Sequence, residues 1–231
     1  MKANLVAGII AATIAIGTVS VAEAAVIDLT FEGLQNLEPI DNFYNGGLGG
    51  NGSGPGPNFG IIFSANSLAL IEDSAGGTGN IQGEPSPVTA AFFLSGGADT
   101  MDVPAGFTTG FSFFYSAINN PGVINVWSGL DGTGSLLATL ALPVTPMGPY
   151  GTPPCTIGSP QIFCPFEPIG VSFSGTAESV DFGGTANQIA FDNITLGSST
   201  PVGGVPEPAS LTLLGVGLAG FGVLRHHRKS A

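Results

Sequence analysis

Between residues 3 and 224 the chain contains no lysine, no arginine and no histidine. Its cations are Lys2, Arg225, Arg228 and Lys229, and both histidines, His226 and His227, stand in the same terminal cluster. A body of this kind cannot join two side chains by a salt bridge. It must hold together by apolar packing and backbone hydrogen bonds. The gap also closes off several function classes. Nucleic-acid binding needs cations that displace counterions from phosphates. A Ser-His-Asp or Cys-His site needs an imidazole, and a P-loop needs a lysine. Zinc sites built on histidine cannot form, and two cysteines are too few for a thiolate cage.

Both ends read as addresses. Lys2 precedes an apolar run over residues 5–21, followed by Ala22-Glu23-Ala24. This is the layout of a secretory signal, predicted to occupy residues 1–24 and to be cut by signal peptidase after Ala24. A second apolar run covers residues 209–224, with the cluster Arg225-His226-His227-Arg228-Lys229 directly behind it. Sixteen helical residues span about 24 Å, short of a hydrocarbon core of about 30 Å. Positive charge stays on the cytoplasmic side, so everything before the run is expected outside.

Immediately before that run stands Val205-Pro206-Glu207-Pro208. The motif, the short Gly-rich apolar segment (209–224) and the basic tail (Arg225, Arg228, Lys229) together resemble the PEP-CTERM sorting signal, here residues 205–231. The resemblance implies an exosortase as partner. It also implies transient anchoring in the inner membrane, cleavage of the tail, and delivery to the cell surface or an exopolysaccharide-rich matrix. Residues 198–204, Ser-Ser-Thr-Pro-Val-Gly-Gly, read as a flexible linker that gives the enzyme access.

Residues 25–197 read as one passenger domain. Short runs rich in Val, Ile, Phe and Thr alternate there with Gly, Pro, Asn and Asp, and helical periodicity is absent. Strands are predicted at 26–31, 61–71, 88–94, 108–116, 123–128, 135–142, 170–174, 179–182 and 188–196. Alternation puts Phe111, Phe113 and Tyr115 on one face. It splits Val123, Asn125 and Trp127 from Ile124 and Val126, so that strand is covered on both sides or presents its Trp at an edge. Asp131-Gly132 marks a hairpin. The expectation is an all-β antiparallel two-sheet sandwich of the jelly-roll kind. Pieces such as Phe59-Gly-Ile-Ile-Phe-Ser64 and Phe191-Asp-Asn-Ile-Thr-Leu196 are similar to passengers commonly attached to this tail. That likeness implies an exported sandwich and no particular activity.

Cys155 and Cys164 in an exported chain are expected to form a disulfide. Closing a loop of about ten residues contributes about 2.5–3 kcal/mol in the chain-entropy model. Two kinds of site remain open. Calcium takes oxygen ligands, and Asp28 and Glu32 at the first strand with Asp192 and Asn193 at the last could share one such site. Sugar recognition needs stacking faces, for which Trp127 and Tyr44 are candidates; the competing reading makes Trp127 and Tyr115 plain core. A polysaccharide hydrolase needs a carboxylate pair flanking the bond, and no spacing singles one out, so no catalytic residue is assigned. An ice-binding face needs regular arrays, and the chain has no internal repeat. The sequence thus reads as a non-enzymatic exported protein, with a carbohydrate-binding module as the alternative.

Overall fold

The computed structural model describes residues 26–203 apart from 97, 147, 149 and 158–160. The signal at 1–24 and the sorting signal at 205–231 lie outside the described residues. Eleven strands form two antiparallel sheets. Sheet one runs β3 (Ser67–Ile71), β4 (Thr89–Phe93), β11 (Ala190–Leu196), β6 (Gly110–Ser116), β9 (Glu167–Ser172), and β1 (Ile27–Leu29) also pairs with β11. Sheet two runs β2 (Ile62–Phe63), β5 (Ala98–Phe107), β10 (Ala177–Gly184), β7 (Gly122–Trp127), β8 (Leu136–Leu142). The chain crosses between the sheets at most connections, as a jelly roll requires.

The core lies between the sheets, and phenylalanine is its commonest residue. Phe111, Phe113 and Tyr115 of β6 point into it, as their alternation predicts. Phe113 meets Phe182 and Phe191 edge-on, at ring separations of 6.1 and 5.7 Å. With no ion pairs available to the body, such aromatic contacts and the area they bury supply much of its cohesion. A second apolar cluster lies on the outer face of sheet one, where Leu70, Ala90 and Phe92 pack against Ile81, Phe163 and Phe166. This is why every residue of β4 is buried.

Three features depart most from the sequence reading. The run 61–71 is two strands, not one. A turn closed by the Ser67 N–H donating to the Ser64 carbonyl (3.0 Å) sends β2 to sheet two and β3 to sheet one. Strand β5 carries no clean apolar signal, because Asp99, Asp102, Pro104 and Gly106 interrupt it; only Met101, Val103 and Phe107 reach the core. Pro104 falls where the β5–β10 ladder shifts register, the place where a missing N–H costs least. The third difference is the linker. Residues 198–202 are fastened to the body: Ser112 Oγ donates to the Ser198 carbonyl at 2.9 Å, and Val202 N–H donates to Thr195 Oγ1 at 3.0 Å. A Cβ on Gly110 or Gly170 would run into the backbone of Ser199. Glycine at both positions lets the strap lie flat on the sheet.

The Asp131-Gly132 hairpin forms as expected. Both residues have positive φ (54° and 64°), and Thr133 N–H donates to the Leu130 carbonyl at 3.1 Å. This is the turn whose twist suits adjacent antiparallel strands.

Candidate functional site

The four calcium candidates come near one another. A bulge in β11, between Asp192 and Thr195, breaks the alternation and turns Asn193 into positive φ (46°). Asn193 Nδ2 then donates to Asp28 Oδ2 (3.2 Å) and to the Val202 carbonyl (3.0 Å). Asp192 instead accepts from the Ser86 amide (2.9 Å) and hydroxyl (2.8 Å). Glu32 accepts from the amides of Val88 (3.1 Å) and Thr89 (2.9 Å). Among the described residues no three His, Cys, Asp or Glu side chains gather closely enough to hold a metal ion. Asp28, Glu32 and Asp192 thus each accept from the chain's own amides or hydroxyls, and the calcium site drawn from them and Asn193 stays a proposal.

Burial without a counter-cation raises several carboxyl pKa values, although hydrogen bonds from Ser53, Gln35 and Asn51 lower that of Glu38. Asp28 and Asp99 rise to about 6 through desolvation, and Asp192 to about 7. Glu84 rises furthest, to about 8, through burial first and then repulsion from Glu72, Asp192 and Glu32. Neither of its carboxylate oxygens has a hydrogen-bond partner among the described residues; only its own amide lies near enough to offset the burial. The sequence carries no sign of this, because Glu84 stands in a Gly-Pro-Ser loop that reads as exposed.

The two sugar candidates separate. Tyr44 is buried in the core, with its ring edge-on to Phe31 at 5.8 Å, and its hydroxyl accepts the Phe31 N–H at 2.6 Å. It has no face to offer a ligand, and it is corrected to a core residue. Trp127 lies half-buried on the outer side of sheet two, opposite in sense to the buried Ile124 and Val126. Its Nε1 donates to Asp181 Oδ2 at 2.9 Å, and Thr100 Oγ1 donates to Asp181 Oδ1 at 3.0 Å. The competing core reading thus holds for Tyr115 and fails for Trp127.

A cleft opens beyond the other end of β7. Its volume is about 390 Å³, and Asn80, Asn119, Gln161, Phe163, Asn187 and Gln188 line it. One wall belongs to the disulfide loop. Cys155 and Cys164 are bonded, and Phe163 N–H next to the bridge donates to the Asn80 carbonyl at 2.8 Å. Asn80 Nδ2 donates in turn to the Gln161 carbonyl at 2.6 Å. The opposite wall is the β10–β11 turn, where Gln188 Oε1 accepts from Asn120 Nδ2 at 3.0 Å and Asn187 has positive φ (58°). The sequence reading missed this cleft because its residues come from four loops far apart in the chain.

The strap 198–202 ends two residues before Val205-Pro206-Glu207-Pro208. The family model described as the PEP-CTERM protein-sorting motif matches residues 204–229. The chain ends in a PEP-CTERM sorting motif. Such a motif marks an exported protein processed at the membrane. The PEP-CTERM match covers the tail and none of the sandwich. No curated protein matches the chain. Among solved structures the sandwich is similar to the K2 cleaved adhesin domain of Lys-gingipain (13% identity, 74% of this chain, 97% of that one, TM-score 0.41). It is also similar to a carbohydrate-binding module from Cellvibrio mixtus lichenase 5A in complex with cellotriose (13% identity, 57% and 86% covered, TM-score 0.32). Likeness at that level says nothing about a ligand for the PEP-CTERM passenger.

Proposed function

We propose that this is an exported, non-enzymatic protein that an exosortase sorts through its PEP-CTERM tail to the cell surface or extracellular matrix, where it meets exopolysaccharide. The match at residues 204–229 carries the reading. A leader-like N-terminus and a body without Lys, Arg or His support it, since the body has no imidazole or amine side chain to serve as base or nucleophile partner. The test is to fractionate wild-type and exosortase-deficient cells and determine the mature C-terminus by mass spectrometry. Wild-type cells should yield a surface or released form lacking residues 209–231, and deficient cells a membrane-bound form that keeps them. A full-length C-terminus in every fraction would overturn the sorting reading.

A second reading, carbohydrate binding by the sandwich, has its own observation in support: a polar cleft lined by no charged side chain. A hydroxyl-rich, neutral ligand suits such a lining.

A further inference from the structure

We infer that the cleft between the disulfide loop and the β10–β11 turn binds a neutral polysaccharide segment, with Asn119 and Asn187 as its principal contacts. The inference rests on the carbohydrate-binding reading and gives it a place and a ligand class.

The chemistry of the lining argues for sugar. Five of the six lining side chains are carboxamides and the sixth is Phe163. Each amide offers an N–H₂ donor and a carbonyl acceptor, side by side and without charge. Sugar hydroxyls also donate and accept, so one amide can engage two neighbouring hydroxyls at once. The volume of about 390 Å³ falls within the range of about 300–1,000 Å³ usual for ligand pockets.

The lining is also held in place before any ligand arrives. Asn80 is tied to Gln161, and Gln188 is tied to Asn120, so these amides frame the cleft. The disulfide and the Phe163–Asn80 backbone bond fix one wall against the second apolar cluster. By contrast the side-chain amides of Asn119 and Asn187 make no hydrogen bond among the described residues, and both residues are exposed. They are the groups with hydrogen-bonding capacity to spend on a ligand. Fixed walls with two unengaged amides lower the ordering cost of binding.

Charge decides the ligand class. Residues 25–207 hold fifteen Asp and Glu and no Lys, Arg or His, Glu23 having left with the leader. The field of such a body repels uronates, sulfated glycans and phosphates. The cleft holds none of these acids, so a neutral glycan can enter without desolvating a charge.

The test uses the mature protein recovered from the cells that export it. Its retention is measured on immobilised β-glucan, mannan, galactan and dextran, and on alginate as the anionic control. Retention on at least one neutral polymer and not on alginate is expected. Asn119→Ala and Asn187→Gly, the latter chosen because glycine accepts positive φ, should each weaken it about tenfold, the weight of one or two hydrogen bonds. Their melting temperatures should stay at the wild-type value. Retention on a neutral polymer that both variants leave intact, or that Trp127→Ala abolishes instead, overturns the cleft while the carbohydrate reading survives. No retention on any neutral polymer overturns both. Neither result bears on sorting, which the C-terminal mass decides separately.

Discussion

Single side chains in this protein do their work as uncompensated acids. Asp192 accepts from the Ser86 amide and hydroxyl and from the Asn193 amide, yet its pKa rises to about 7, because three hydrogen bonds do not offset burial. Folded-state values of about 6 to 8 for Asp28, Asp99, Asp192 and Glu84 exceed the unfolded ones, near 4. Raised values mean that the folded state prefers the protonated form. These groups therefore contribute stability that is fully present below about pH 4 and is lost as pH climbs through 6 to 8. The melting temperature should fall steadily from pH 5 to pH 8 in thermal unfolding followed by circular dichroism. A flat profile would mean that the carboxylates are solvated. Glu84→Gln isolates the largest contribution: it should raise stability at pH 8, by at most about 4 kcal/mol, and leave it unchanged at pH 4.

Among the elements, the disulfide loop and the strap have different jobs. The loop closes the outer face of sheet one through Phe163 and Phe166. Replacing Cys155 and Cys164 by Ser should cost about 2.5–3 kcal/mol in equilibrium unfolding and leave the sheet core folded. The strap depends on Thr195 and Asn193. Thr195→Val keeps the shape of the side chain and removes its hydroxyl. Limited proteolysis within residues 198–203 should then become fast, with a stability loss of about 1–3 kcal/mol. These elements also show what sequence can convey. A strand whose alternation is regular, such as β6, was legible, and so was the Asp131-Gly132 turn, because period and turn chemistry are local. Strand β5 was not, since its inward positions are divided by Asp99, Pro104 and Gly106 and only pairing with β10 makes it a strand. The strap was not legible either. Ser-Ser-Thr-Pro is the composition of a linker, and the glycines that receive it, Gly110 and Gly170, stand more than 25 residues away in the chain. The cleft failed for the same reason, its amides being meaningful only once four loops meet.

At the scale of the whole molecule, the ends carry the cations and the body carries the acids. Wild-type cells should therefore release a mature form with no basic side chain, which an anion-exchange column holds more tightly at neutral pH than the protein from exosortase-deficient cells that keeps Arg225, Arg228 and Lys229. The strap sets the geometry of the step between the two. Among the described residues Val202 is the last one bonded to the body, and Pro208 is six residues on. Fully extended, that stretch reaches about 20 Å at most. On the proposed sorting reading, the sandwich would ride on a short leash close against the bilayer until the tail is cut. An enzyme working there would have to fit its active site between a folded neighbour and the headgroups.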